Sequence, residues 1–201
     1  MKANNKMMRQ THAIVCLLAL IITLTGCTID EPSVNAGEFP FVKEGKVWIC
    51  GTQTFKMEGD TIIGIKSYKK LYRKDPEQYG DNNMHYFAAI RERDKQVYAI
   101  KPQQRKEILI YDFSLEKDDI FTVKETEEYI IEFKVCSEPE YLSSGRKKWD
   151  MLYLLNHQLF ITGYIYWIEG VGCLDSPFWS IDDYGCGDLY VCYEDSVSIY
   201  P

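Results

Sequence analysis

Short apolar runs separated by turn residues are the feature that most restricts how this chain can fold. In one such run Ile131, Phe133 and Val135 alternate with Glu132 and Lys134. A period of two places the apolar side chains on one face and the charged ones on the other, which is typical of a half-buried antiparallel strand. About ten short runs of strand type follow one another along the chain, so the sequence predicts an all-β fold.

The order of these runs predicts an antiparallel meander, because short strands joined by tight turns pair with their neighbours in the chain. The meander could close as a barrel or split into a two-sheet sandwich, and the sequence favours neither. No segment after residue 27 shows a convincing helical stripe. The nearest candidate is 151–160, in which Tyr153, Leu154 and Leu155 leave the choice between helix and strand open.

One hairpin carries a specific turn prediction. The residues 58–60, Glu-Gly-Asp, lie between two strand-like runs at 52–57 and 61–65, and a Gly-Asp pair there predicts the hairpin turn. Gly64 is expected to form a bulge. The basic run that follows predicts a solvated strand edge: Lys69, Lys70, Arg73 and Lys74.

The first 27 residues predict export. Lys2, Lys6 and Arg9 give a basic start, and 13–24 is an apolar run interrupted only by Thr23. At about 1.5 Å per helical residue the run would span about 18 Å, whereas a bilayer core is about 30 Å thick. This length is typical of the apolar core of a signal peptide.

The end of that run, Leu-Thr-Gly-Cys at 24–27, resembles the lipobox of bacterial lipoproteins. The resemblance implies a signal peptide at 1–26 and a lipid on Cys27 that tethers the chain to the outer membrane, with the cell surface as one location. An ordinary secretory signal with a chance cysteine is the alternative. Residues 27–38 then read as a polar tether and 39–201 as a single β-rich domain.

The charge of the chain excludes one class of partner. It has 23 basic and 30 acidic side chains and a formal charge of −7. Removing 1–26, which carries three basic and no acidic residues, would leave −10. A nucleic-acid binder needs a positive surface to displace counterions from phosphates, so no nucleic-acid partner is expected.

The cysteines predict one disulfide at the C-terminal end. Export permits disulfides, and Cys173, Cys186 and Cys192 lie close together in the sequence. One bridge among these three is expected, with the pairing left open. No cysteine spacing fits a zinc site, so neither a metal nor another cofactor is expected.

The sequence contains no known catalytic motif, so no catalytic residue is predicted. There is no Gly-x-Ser-x-Gly elbow, no His-Glu-x-x-His and no phosphate-binding glycine loop. Two regions resemble ligand sites instead. Glu169 follows Trp167 and precedes glycines, and it either closes a tight turn or acts on a ligand. Trp167 is itself a candidate contact for a glycan. The loop 175–188 combines aromatic and acidic residues that suit a sugar or calcium: Trp179, Asp182 and Asp183.

The sequence also resembles a family of secreted and lipid-anchored Bacteroidetes proteins of unknown function. The matching segments span about 45–200. They include Gly-Asp-Thr-Ile-Ile-Gly at 59–64, Tyr-Lys-Lys-Leu-Tyr at 68–72, Ala-Ala-Ile-Arg-Glu at 88–92, Val-Tyr at 97–98, Tyr-Asp-Phe-Ser-Leu at 111–115, Asp-Asp at 118–119 and Trp-Ile-Glu-Gly-Val-Gly at 167–172. Cys173 stands where the family pattern has Ser, and Cys186 is an additional cysteine. The resemblance implies an exported β-rich domain and no reaction.

Three functional hypotheses follow from these patterns. The first is a non-catalytic, membrane-anchored module that binds a glycan or an envelope protein through loops. The second is a structural or assembly subunit of an envelope complex. The third is a glycan hydrolase that uses acids such as Glu169 and Asp183.

Overall fold

Two curled antiparallel β-sheets face a shared apolar core in the computed structural model of this chain. The structure describes residues 38–75, 83–104, 106–124, 130–155, 158–159, 164–178 and 187–201. Within these ranges there are strands, turns and bends, and no helix that could cross a membrane. The all-β prediction is therefore confirmed.

Fifteen strands are found in these ranges. They are β1 (Val47–Cys50), β2 (Gln53–Ile63), β3 (Lys66–Lys74), β4 (His85–Arg93), β5 (Gln96–Ile100), β6 (Ile108–Asp112), β7 (Ile120–Lys124), β8 (Ile130–Val135), β9 (Glu140–Tyr141), β10 (Lys147–Leu155), β11 (Gln158–Leu159), β12 (Ile165–Ile168), β13 (Gly172–Cys173), β14 (Leu189–Glu194) and β15 (Val197–Tyr200). The count exceeds the predicted ten partly because β9, β11 and β13 have two residues each.

The strand order follows the meander that the sequence predicted. The first sheet runs β15-β14-β1-β2-β3-β4-β5-β6, and the second runs β13-β12-β10-β8-β7, with β9 and β11 also paired to β10. All pairs are antiparallel. The ambiguous segment near 151–155 belongs to strand β10, whose residues pair with β8 on one side and with β12 on the other. β14 and β15 depart from the sequential order, because they return to pair beside β1, and in the second sheet β10 also pairs with β8 and β12, which are not its neighbours in the chain.

Large aromatic side chains fill the space between the sheets. Tyr111 lies near the middle, with its ring centroid 5.2 Å from Phe41, 5.3 Å from Phe113 and 4.9 Å from Trp167. Fully burying one such side chain contributes on the order of 1.5–3 kcal/mol. Buried and partly exposed residues alternate along β1, as a period of two predicts, whereas β4 and β6 each contain three consecutive buried residues.

The turn predicted at 58–60 is wrong. Strand β2 continues through these residues, and the register to β3 shifts between Met57 and Asp60, so Gly59 lies in a β-bulge. The hairpin turn is instead formed by Gly64 and Ile65, between the paired residues Ile63 and Lys66. Gly59 and Gly64 have positive φ angles of +74° and +66°. Either glycine could therefore occupy a bulge or a turn, and the sequence pattern did not distinguish the two.

The predicted strand edge at the basic run is also wrong. Strand β3 lies inside the first sheet, between β2 and β4. Three of its cations form ion pairs: Lys66 with Glu107 at 2.8 Å, Lys69 with Asp60 at 2.7 Å, and Arg73 with Asp75 at 2.9 Å. Acidic partners on adjacent segments explain how an interior strand can carry so many basic residues.

Candidate binding surface

Glu169 lies in the turn directly after β12 and is 6% exposed. Its Oε1 is 3.0 Å from Nζ of Lys95, and its Oε2 accepts the backbone N–H of Lys147 at 3.5 Å. Gly170 completes the turn with a φ of +73°, and a Cβ there would come within 2.6 Å of the carbonyl oxygen of Phe39. Glu169 is therefore a buried, hydrogen-bonded acid in this turn, an arrangement that the turn-closing role requires.

Trp167 is completely buried on β12. Its ring centroid lies 4.9 Å from that of Tyr111, 5.1 Å from Phe121 and 5.3 Å from Phe133. No face of the indole is open to a sugar ring. Trp167 therefore packs in the core and does not have the predicted ligand-binding role. Its position on β12 directs the side chain into the space between the two sheets.

The C-terminal loop is described only at its two ends. At its start, the hydroxyl of Tyr111 donates a hydrogen bond to the carbonyl oxygen of Pro177 at 2.6 Å, and Phe178 packs into the core. The ring of Phe178 lies 4.6 Å from that of Phe55. Other predicted residues lie outside the part of the chain that the structure describes: Cys27, Trp179, Asp182, Asp183 and Cys186.

The four cysteines in the described ranges form no disulfide with one another, so Cys173 and Cys192 are not paired. Burial raises the pKa of the Cys192 thiol to about 12, which keeps it protonated and poorly nucleophilic. The sulfur of Cys173 lies 4.0 Å from the carboxylate of Asp175. A bridge that includes Cys186 stays a prediction.

An exposed apolar group lies at the end of the β2–β3 hairpin. We call residues Ile62, Ile63, Gly64 and Ile65 the hairpin tip. The three isoleucines are 75%, 38% and 70% exposed in chain order. Gly64, with positive φ at the first central position, fits a type II′ turn. Turns normally carry polar residues, so three isoleucines around one indicate a contact surface.

A polar cleft lies at the base of the hairpin tip. It has a volume of about 190 Å³ and is bounded by Val42 and by strands β2, β3 and β4. Asp60 contributes to it from β2, Lys69 from β3 and Glu92 from β4. The strand pairing joins the two features, since Asp60 is opposite Lys69 and, two residues nearer the tip, Ile62 is opposite Ser67, which also lines the cleft.

The bulge at Gly59 is held by an ion-pair network. Glu44 accepts the backbone N–H of Gly59 with both carboxylate oxygens, at 3.0 and 3.1 Å. Lys69 lies 2.9 Å from Glu44 and 2.7 Å from Asp60. The hydrogen bond from Lys69 is the main cause that lowers the pKa of Glu44, followed by the one from Gly59. The network therefore ties the tip-bearing strand to the segment before β1.

A second network, around Tyr68 and Arg91, lies on the opposite face of β3 and β4 from Lys69. Glu107 accepts hydrogen bonds from Arg91, from Lys66 at 2.8 Å and from the Tyr68 hydroxyl at 2.8 Å. Burial alone would raise the pKa of Glu107, but these donors outweigh it and lower the pKa to about 2. Burial, together with the bond to Glu107, raises the pKa of Tyr68 to about 12. The guanidinium carbon of Arg91 lies 4.2 Å from the centroid of Tyr98.

Glu92 differs from the other charged residues of the cleft. Its Oε2 accepts the backbone N–H of Val42 at 3.0 Å, and it forms no ion pair with any residue that the structure describes. Burial is the main cause that raises the pKa of Glu92, and the bond from Val42 opposes the shift. Lys46 lies close enough to favour the charged form, but its own contacts are elsewhere.

Lys46 is completely buried. Its Nζ is 2.6 Å from Oε1 of Glu194, and it donates to the carbonyl oxygens of Pro40 at 2.6 Å and Gly170 at 2.7 Å. Arg146 Nη2 lies 3.4 Å from the same Glu194 oxygen. These bonds fasten the segment before β1 across the end of the core, and they position Val42 over Glu92.

Comparison with known proteins gives no match, whether with family models, curated proteins or solved structures. The site therefore has to be interpreted from its own chemistry. Sequence reasoning missed both the hairpin tip and the cleft. The sequence feature that could have revealed the tip was the run Ile-Ile-Gly-Ile, in which a glycine marks a turn but no residue is polar. Nothing in the sequence indicated the role of Glu92 in the cleft, because that role depends on its hydrogen bond from Val42, fifty residues earlier.

Proposed function

We propose that this protein is a non-catalytic binding module at the cell envelope, exported and held to the outer membrane by a lipid on Cys27. Its ligand is another envelope protein, bound through the hairpin tip. The lipobox-like residues at 24–27 support the anchoring, and the exposed hairpin tip supports the binding.

The observation that carries the proposal is the exposure of Ile62 and Ile65 at 75% and 70%. Isoleucine gains on the order of 1.5–3 kcal/mol when it moves from water into an apolar contact. A rigid hairpin, held by the Gly59 bulge and the Glu44 network, presents these side chains together. Apolar residues with polar neighbours such as Asp60 and Glu58 have the composition of a protein-contact surface.

A protein partner fits this surface better than a glycan or a membrane. Sugars are usually bound against exposed aromatic faces, and the hairpin tip contains three isoleucines and a glycine but no aromatic residue. A tip that inserts into an anionic membrane is usually flanked by unpaired basic residues. Here Glu44, Glu58 and Asp60 lie beside the tip, and Lys69 is already paired.

The alternative that the same surface supports is a structural or assembly subunit of an envelope complex. It differs from a binding module only in the permanence of the contact. A complex that survives detergent extraction and gel filtration with fixed stoichiometry would favour the assembly subunit. A contact that is lost on dilution would favour the binding module.

The experiment is site-specific photo-cross-linking on intact cells that express the full-length protein. A benzophenone amino acid replaces Ile62, or, as matched control, Ile120, which is 52% exposed on β7 of the other sheet. The proposal expects one discrete protein adduct from position 62 and none of that size from position 120. Adducts to lipid or glycan, to a second copy of this chain, or equal adducts from both positions would overturn it.

A further inference from the structure

We infer that the cleft at the base of the hairpin tip receives a cationic side chain of the bound protein, a lysine ammonium or an arginine guanidinium, and that Glu92 is the acid that pairs with it. The inference rests on the proposed function, because the partner is the protein that the hairpin tip contacts. It specifies the chemistry of a second contact with that protein, in the cleft, in addition to the contact at the hairpin tip.

The charges that line the cleft are balanced except at one position. Asp60 is paired with Lys69 at 2.7 Å, and Arg91 with Glu107 through Nη2 and Oε2 at 2.9 Å. Glu92 has the backbone N–H of Val42 and no cation within ion-pair distance among the residues described. Glu92 is therefore the one carboxyl group lining the cleft that has no direct ion-pair partner among the residues described.

The nearest cations cannot turn to Glu92 without breaking stronger contacts. Lys46 is held by Glu194 at 2.6 Å and by two backbone carbonyl oxygens. Lys69 is held between Asp60 and Glu44, and this arrangement also fixes the Gly59 bulge. A direct ion-pair partner for Glu92 would therefore come from outside the described fold.

The shape and surroundings of the cleft favour a side-chain cation over a metal ion. A bound metal ion needs several converging ligands, and no group of three or more such side chains occurs in the described ranges. An ammonium or guanidinium needs only one carboxylate and a few acceptors, which Glu92 and the Ser67 hydroxyl supply. Val42, which is only partly buried, lines the same cleft and gives the aliphatic stem an apolar contact.

Net charge and position agree with this assignment. The chain carries a formal charge of −7, so a basic partner is attracted over long range. The cleft lies two residues from Ile62 along β2, so one segment of a partner could place an apolar side chain on the tip and a basic one in the cleft. The tip would supply apolar contact and Glu92 would select for charge.

The test uses a capped lysine, N-acetyl-lysine-methylamide, as probe for the cation, with N-acetyl-norleucine-methylamide as its uncharged control. Both are titrated into isotope-labelled protein from which residues 1–27 are removed, and the backbone amide signals of Val42 and Ile90 are followed. The inference expects the lysine probe to shift these signals with a Kd in the millimolar range and the norleucine probe to leave them unchanged.

Two variants locate the charge that matters. Glu92→Gln keeps an oxygen to accept the Val42 N–H, so the cleft retains its shape. It should weaken the lysine probe by at least about fivefold, as expected for loss of a half-buried ion pair. Glu58→Gln removes an equal charge from an exposed residue outside the cleft and should change the Kd less than about twofold. Equal weakening in both variants, or no binding at all, would overturn the inference.

The outcome also separates this inference from the proposed function. If position 62 gives its protein adduct but the lysine probe does not bind, the cleft inference fails and the proposed function stands. If the probe binds through Glu92 but position 62 gives no protein adduct, the proposed function fails, and with it the claim that a bound protein supplies the cation.

Discussion

The two carboxylate oxygens of Glu44 lie 3.0 and 3.1 Å from the backbone nitrogen of Gly59, the bulge residue of strand β2. A bulge bends its strand and increases the local twist. The direction in which the hairpin tip projects is therefore set by a side chain that precedes β1. The position of the hairpin tip is therefore fixed, as a binding surface requires.

Replacing Glu44 with alanine should loosen the tip at small cost to the fold. The change removes one charge-assisted hydrogen bond and the ion pair to Lys69 at the surface, for which we expect a loss of about 1 kcal/mol in the free energy of unfolding. Urea titration would measure it. Glu58→Ala, which breaks only the pair with Lys56, should cost less. Equal losses in the two variants would contradict a special role for the Glu44–Gly59 bond.

Glu107 should make stability depend on acid pH. Its pKa in the folded protein is about 2, below the ordinary value of 4.5. A lowered pKa means that the folded state favours the carboxylate, so the contribution is complete above about pH 5 and is lost as the pH falls toward 2. At pH 7 the wild type should have a higher melting temperature than Glu107→Gln, and the difference between the two melting temperatures should be smaller at pH 3. A difference that does not change with pH would contradict this assignment.

Lys46 should be the most damaging charged residue to remove. It is completely buried, and Lys46→Met leaves Glu194 without its closest cation and two carbonyl oxygens without a donor. We expect a loss of about 3 kcal/mol on chemical unfolding. Lys56→Met, an exposed residue in a single surface pair, should cost under about 1 kcal/mol.

The double variant Lys46→Met/Glu194→Gln gives the control for this ion pair. Because it removes the unmatched negative charge as well, it should be more stable than the sum of the two single changes predicts. Strict additivity would show that the two residues act independently of one another.

The lipid anchor predicts a change of location. Cys27→Ser removes the thiol that would carry the lipid, so the protein should leave the membrane fraction and lose incorporation of labelled palmitate. Cys16→Ser lies within the apolar run of the signal peptide and should change neither readout. Membrane association that persists in Cys27→Ser would contradict the anchoring part of the proposal.

Period-two alternation and turn residues were enough to predict the fold class and the meander, because both depend on local pattern. The same local pattern failed at 58–65, where Gly59 and Gly64 each have positive φ and only the pairing with β3 decides which is the bulge. It also left 151–160 open between helix and strand. Neighbours β8 and β12 decide that case, through pairs that the order of residues does not reveal.

The site was less predictable than the fold, because its parts come from distant segments. Trp167 looked like a ligand residue from its neighbours, yet it is packed among Tyr111, Phe121 and Phe133. Glu92 looked like an ordinary charged strand residue until Val42 was placed over it. Exposure and pairing are properties of the assembled sheets, and composition alone does not contain them.

The most direct measurement is the cross-linking yield from a photoreactive residue at position 58, which is 60% exposed at its side chain and lies beside the tip. Ile62→Ser/Ile65→Ser should lower the yield of the protein adduct at least about tenfold, because two apolar contacts are lost. Ile120→Ser, an equal change on the other sheet, should leave it unchanged. An undiminished yield in the double variant would contradict the hairpin tip as the binding surface.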